Sequence, residues 1–245
     1  MKFPLLILTL IFSFIQNVLS QEKVVVSAEE IFTEIKLKSQ QSTNPNKILY
    51  ESFLDKIKSD VYSEQTKNEL AVSLFSHYIK CGSFLAFKTA FEKHAALLEN
   101  KPILKTYWKT ISLEFSEQYK AMFKSAEMLL RQSKKAGDNQ NISDAYRLIA
   151  RSKMYLNEKD SSFFYANLSL NFAKRSDSKI AVANTFKDLS DIQAYFDMIG
   201  KSTSTLLKLN QEAERIKDYY LLCWSTLMIA ERSFQVNSFN EAKTY

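Results

Sequence analysis

The chain has 245 residues and a net charge of +6, and 46% of it is apolar, which is ample for a packed core and excludes a disordered chain. Glycine and proline number only three each. That excludes sandwiches, barrels and nucleotide-binding α/β folds, which need glycine at turns and phosphate loops, and leaves an all-α fold of long helices.

Residues 1–20 carry one charge, Lys2, followed by an apolar run from Leu5 to Ile15. Spanning a bilayer takes roughly 20 apolar residues, so this shorter run reads as the core of a secretory signal peptide. Val18 and Ser20 precede Gln21 and place cleavage after Ser20; a retained N-terminal anchor is the alternative. The chain is therefore expected to be exported, periplasmic or secreted. Losing Lys2 leaves 32 basic residues against 27 acidic ones, or +5. This charge is diffuse, and the densest cluster is Arg131, Lys134 and Lys135. No nucleic-acid partner is expected. Membrane contact is expected only through the signal peptide or a span downstream of this sequence.

Residues 21–60 read as N-terminal helices and a linker. Ser27-Ala28-Glu29-Glu30 has the form of a capping box that opens a helix to about Lys38. Gln40 to Asn46, with Pro45, reads as linker, and a helix follows from Lys47 to Lys58. Residues 61–245 read as helical hairpins. The first covers 63–98 and turns at Gly82. Asn100-Lys101-Pro102 separates it from a second at 103–136, which Gly137-Asp138-Asn139 closes. Further hairpins cover 142–176 and 179–217. The last begins near Asp218 and is incomplete at Tyr245, before a second helix covers Trp224, Leu227 and Phe234.

These hairpins repeat with a period of 40. Tyr146 and Phe186 are so related, as are Ile149, Leu189 and Ile229. Ala150, Ser190 and Ala230 form another series, and Ser162, Ser202 and Ala242 another. Within a period, Tyr146, Ile149, Ala150 and Met154 mark one helix face, and Phe163, Ala166, Leu170 and Ala173 mark the next. One hairpin cannot bury its apolar face alone, whereas stacked hairpins can, so the predicted architecture is a solenoid.

The pattern resembles the tetratricopeptide repeat (TPR). Ile229-Ala230, the turn Val236-Asn237-Ser238-Phe239, and Ala242 give its clearest copy; Tyr78, Gly82, Phe87 and Phe91 suggest an earlier one. Lys153 and Gln193 stand where the family has tyrosine, and the period exceeds the usual 34. The longer period is similar to that of degenerate repeats in exported bacterial sensor and regulator proteins. The resemblance implies a right-handed superhelical solenoid whose first helices line a concave groove for a protein or peptide. By the 40-residue register the groove would hold Arg147, Arg151 and Tyr155, then Asn184, Lys187, Asp191 and Tyr195, then Trp224, Glu231 and Phe234. The alternative is that the aromatic residues pack between helices and the charges are solvated.

Little in the sequence points to chemistry. His77 and His94 are the only histidines, with no matching ligand spacing, and no phosphate loop or nucleophile elbow is present. No catalytic residue, metal or cofactor is assigned. Cys81 and Cys223 lie three hairpins apart, too far to pair, and are expected to be free and mostly buried. The expected function is a non-catalytic interaction module. Rival readings are the periplasmic sensor region of a membrane-spanning transcription regulator or histidine kinase, and an enzyme subunit whose chemistry lies elsewhere.

Overall fold

The computed structural model describes residues 27–235. The signal peptide read at 1–20 and the turn and helix start read at 236–245 lie outside the described residues. Among those described there are eleven α-helices and no strand. None is long and apolar enough to cross a membrane. The chain divides between Leu97 and Leu98 into two compact units.

Unit 1 contains α1 (Ala28–Gln40), α2 (Pro45–Lys58), α3 (Glu64–Lys80) and α4 (Phe84–His94). The capping box at α1 forms as its sequence predicts: Ser27 Oγ accepts from the Glu30 N–H, and the Glu30 carboxylate accepts from the Ser27 N–H. Pro45, read as linker, is the first residue of α2 behind the Asn44 cap. That position needs no N–H donor, so proline starts the helix here and does not interrupt it. The core is aromatic. Phe53, Phe75 and Phe87 are fully buried, and Phe75 meets Phe87 and Phe91 edge-on with ring centroids 5.9 and 5.7 Å away. His94 hydrogen-bonds the Tyr50 hydroxyl at 2.8 Å.

Unit 2 contains α5 (Pro102–Phe115), α6 (Tyr119–Ala136), α7 (Asn139–Tyr155), α8 (Lys159–Arg175), α9 (Lys179–Tyr195), α10 (Ile199–Ile216) and α11 (Tyr219–Gln235). Each helix packs on the next, and α7 also packs on α5 and α9 two places away. This is the all-α solenoid of antiparallel hairpins. Its turns keep a strict rhythm. A residue in the left-handed region closes every turn at 117, 137, 157, 177, 197 and 217. Only Gly137 is a glycine; the others are Glu117, Asn157, Asp177, Asp197 and Lys217. At five of the six, paired hydrogen bonds satisfy the orphan carbonyls of the helix just ended; at the 157 turn, Asn157 N–H donates to Met154 and Glu158 N–H to Lys153. One helix and its turn thus take 20 residues, and the hairpin takes the period of 40.

Small residues set the spacing between layers. Ser162 Oγ donates to the Ala150 carbonyl and Ser202 Oγ to the Ser190 carbonyl, both at 2.9 Å. These contacts superpose in the repeat register. Ser143, Ser169 and Thr185 join α7, α8 and α9 through buried hydroxyls.

Both cysteines are free, but both are exposed, contrary to the burial expected. Cys81 follows the last turn of α3 at its C-cap. Cys223 occupies the register position of Ser143 and Ala183, which are buried. Among the described residues no further first helix follows α11, so the same position is open there. Leu227, in register with Arg147 and Lys187, is 63% exposed for the same reason.

Candidate functional site

The first helices α5, α7 and α9 are joined by a buried charged network. Arg147 is only 7% exposed and Asp188 2%. The Arg147 guanidinium donates to Asp188 at 2.8 Å, to the Tyr107 hydroxyl at 3.1 Å and to Asp144 at 3.2 Å. One turn on, Arg151 donates to Asp188 at 3.1 Å and pairs with Glu114 of α5. Tyr155 donates its hydroxyl to the same Glu114 oxygen at 2.9 Å. The spacing of four residues puts both arginines on one face of α7, where each oxygen of Asp188 accepts from one of them.

The environment sorts these acids. Burial acts to raise Asp188, but the guanidinium groups of Arg147 and Arg151 overcome it and hold the carboxyl below its usual range. Burial dominates at Asp144 and Asp191 and pushes both up, although Arg147 opposes it at the first and Lys187 at the second.

Sharing Arg151 and Tyr155 with this network is an open cleft of about 560 Å³ lined from α7, α9, the turn and start of α10, and α11. It brings together Arg151, Tyr155, Asp191 and Tyr195, four of the residues expected in the groove, with Met154, Ile199 and Arg232. Tyr195 is 48% exposed at its edge. Tyr155 stacks on Tyr119 with centroids 4.4 Å apart, which fixes the opposite wall. The other expected residues are placed differently. Arg147 lies within the network and does not line the cleft. Lys187 sits 4.2 Å over the Trp224 ring, so both are engaged with each other. Asn184 is half-buried, and Glu231 and Phe234 are exposed on α11.

The sequence reading missed Glu114, Asp188, Tyr107 and Arg232. One signal was available: Tyr107, Arg147 and Lys187 are 40 apart, so the register extends back into α5. Unit 1 has a separate cleft of about 550 Å³, lined by Tyr50, Tyr78, Phe84 and Leu85 among others. Burial pushes the Tyr78 hydroxyl there up to about 12. No group of three or more metal-ligating side chains occurs among the described residues.

No model of a known protein family matches the sequence, and no curated protein does. Solved structures do resemble the fold. One is a signal transduction ATPase with numerous domains (STAND) and a tetratricopeptide repeat sensor, from Pyrococcus horikoshii. It matches with a TM-score of 0.51 at 14% identity, over 83% of this chain and 32% of that one. The present chain thus spans about a third of that protein. BtubC (BKLC) from P. vanneervenii matches with a TM-score of 0.53 at 10% identity, over 89% of this chain and 88% of that one. At these identities the likeness concerns the fold alone. Together with the stacked hairpins it defines a TPR-like helical repeat fold.

Proposed function

We propose that the protein is a non-catalytic interaction scaffold, exported by its N-terminal signal, that receives a segment of a partner protein in the cleft of unit 2. One observation carries this reading: the cleft gathers exposed and half-buried aromatic and charged side chains from three successive hairpins over a floor fixed by buried ion pairs. A rigid floor lowers the ordering cost of binding, and tyrosine and arginine are the usual anchors of interfaces. Photo-crosslinking in the native host tests it. A benzophenone side chain at Tyr195 should give a discrete adduct, and one at exposed Lys208 on α10 should give none. Equal labelling from both positions rules the cleft out as the binding face.

A second reading is favoured by the likeness to a repeat sensor embedded in a longer chain. In it this sequence is the sensing region of a membrane-spanning signalling protein. An immunoblot of host fractions separates the two: the scaffold runs at the size of this chain in the exported fraction, and the sensor runs larger, with the membranes.

A further inference from the structure

The cleft proposed above as the partner site also has a chemical preference. Four carboxylates lie along α5, α7 and α9, and the chain supplies arginine to three of them. Glu114 and Asp188 are bound by Arg151, and Asp188 and Asp144 by Arg147. Asp191 is different. It lines the cleft, and its nearest cation is Lys187 Nζ at 3.6 Å, beyond hydrogen-bond reach. That ammonium lies over the Trp224 ring at the same time. Neither arginine lining the cleft hydrogen-bonds Asp191: Arg151 is committed to Glu114 and Asp188, and Arg232 pairs with the adjacent Glu231 at 3.1 Å, its buried Nε having no hydrogen-bond partner among the described residues. Asp197, at the adjoining turn, adds a second carboxylate, and Tyr155 and Tyr195 supply aromatic walls. A half-buried carboxylate that has no hydrogen-bond donor among the described residues, in a cleft also lined by two tyrosines, matches the needs of a cation carried on an apolar stem.

We infer that the Asp191 cleft is a pocket for a basic side chain, arginine or lysine, on the partner segment. The ligand cation would do for Asp191 what Arg147 and Arg151 do for Asp188 one turn away. The inference rests on the cleft being the partner site, but its test is independent of any partner. The probe is a fluorescein-labelled Gly-Ser peptide with two central arginines, measured by anisotropy against the purified chain. Peptides with lysine, glutamate or alanine at those positions are compared with it.

The arginine and lysine peptides should bind more tightly than the alanine peptide, and the glutamate peptide should not bind. Asp191→Asn should weaken the arginine peptide by about tenfold or more, in line with loss of a charged hydrogen bond. Tyr195→Ala should weaken it less, and Asp197→Asn less again. Asp191→Asn removes no arginine partner, so its circular dichroism melt should match the wild type and exclude misfolding as the cause. The inference is overturned if the glutamate peptide binds best, or if Asp191→Asn binds the arginine peptide as well as the wild type does. If that happens while the Tyr195 crosslink persists, the cleft is the partner site with another chemistry. If the crosslink fails as well, the scaffold reading falls with it.

Discussion

The two units solve the same problem, holding helices together, by different chemistry. Unit 1 fills its interior with large rings and branched aliphatics: Phe53, Phe75, Phe87, Leu70 and Leu74. Unit 2 brings its helices close through Ser143, Ser162, Ser169, Ala173, Ser202 and Ala213, then sets a charged network into its first-helix layer. Ring packing is non-directional and tolerates conservative exchange, whereas hydroxyl and guanidinium contacts fix register and fail when one partner goes. The unit with directional contacts is also the one whose repeats superpose.

The largest effect that would break this contrast lies in unit 1. Phe75→Ala should cost about 3–5 kcal/mol, through lost burial and the cavity left behind. Both tryptophans, Trp108 and Trp224, are in unit 2. In urea, the circular dichroism midpoint of this variant should fall while the tryptophan fluorescence midpoint holds. Coincident shifts would show the two units unfolding as one.

Asp188→Ala attacks unit 2 by the opposite route. It leaves Arg147 buried and short of its best partner, at a cost of up to about 3–5 kcal/mol. Here the tryptophan signal should move. An unchanged fluorescence midpoint would mean that water reaches the arginines and replaces the carboxylate.

Acid should separate the units next. Asp188 has its folded value depressed below 3.8. Its contribution is present above 3.8 and is lost as pH falls through the folded value. His77 and His94 are lowered from 6.5, mainly by burial, with neighbouring lysines adding to the effect. The folded state therefore holds fewer protons there than the unfolded state, and unit 1 loses stability as pH falls below 6.5. Hydrogen exchange at pH 7, 5 and 3 should show loosening first around His77 and His94, and around Asp188 only at the lowest pH. The reverse order would assign the acid-sensitive contacts to unit 2.

The smallest effect concerns the turns. Lys217 holds a left-handed backbone that glycine adopts without strain. Lys217→Gly should raise the stability of unit 2 by up to about 1 kcal/mol, read from its tryptophan midpoint. Destabilisation would mean that the lysine side chain does more at this turn than occupy it.

The helices were legible because helix starts and hydrophobic spacing are local. Ser27 with Glu30, and Gly137 followed by Asp138, are signals read within four residues, whereas Asn44 before Pro45 reads as linker in sequence because proline counts there as a breaker. The period of 40 was legible from Ile149, Leu189 and Ile229, and it put Arg151, Tyr155, Asp191 and Tyr195 on one face. What it hid was which charges lie below that face. Arg147 and Arg151 look alike in sequence, and only the packing of α5 and α9 makes the first an interior residue. Asp188 was not among the groove positions of the register, and only its burial between α7 and α9 shows it to be the shared partner of both arginines. Both cysteines were misjudged because a free thiol was read as a small apolar residue, whereas Cys81 sits at a helix C-cap and Cys223 on an exposed position of α11.

The even beat of the turns has a consequence for how such a chain can change length. A single inserted residue in a helix turns every side chain beyond it by roughly 100°. An insertion within α8 would swing Asp188 away from both arginines and leave them without their shared carboxylate. Loss or duplication of the 40 residues 158–197, one helix pair, returns the backbone to the same left-handed joint in the same orientation. The turns alone would therefore accept changes in steps of 40 residues, but the ion-pair layer of Glu114, Arg147, Arg151 and Asp188 does not recur in that register, so loss of the step that holds Asp188 leaves both arginines without their shared carboxylate.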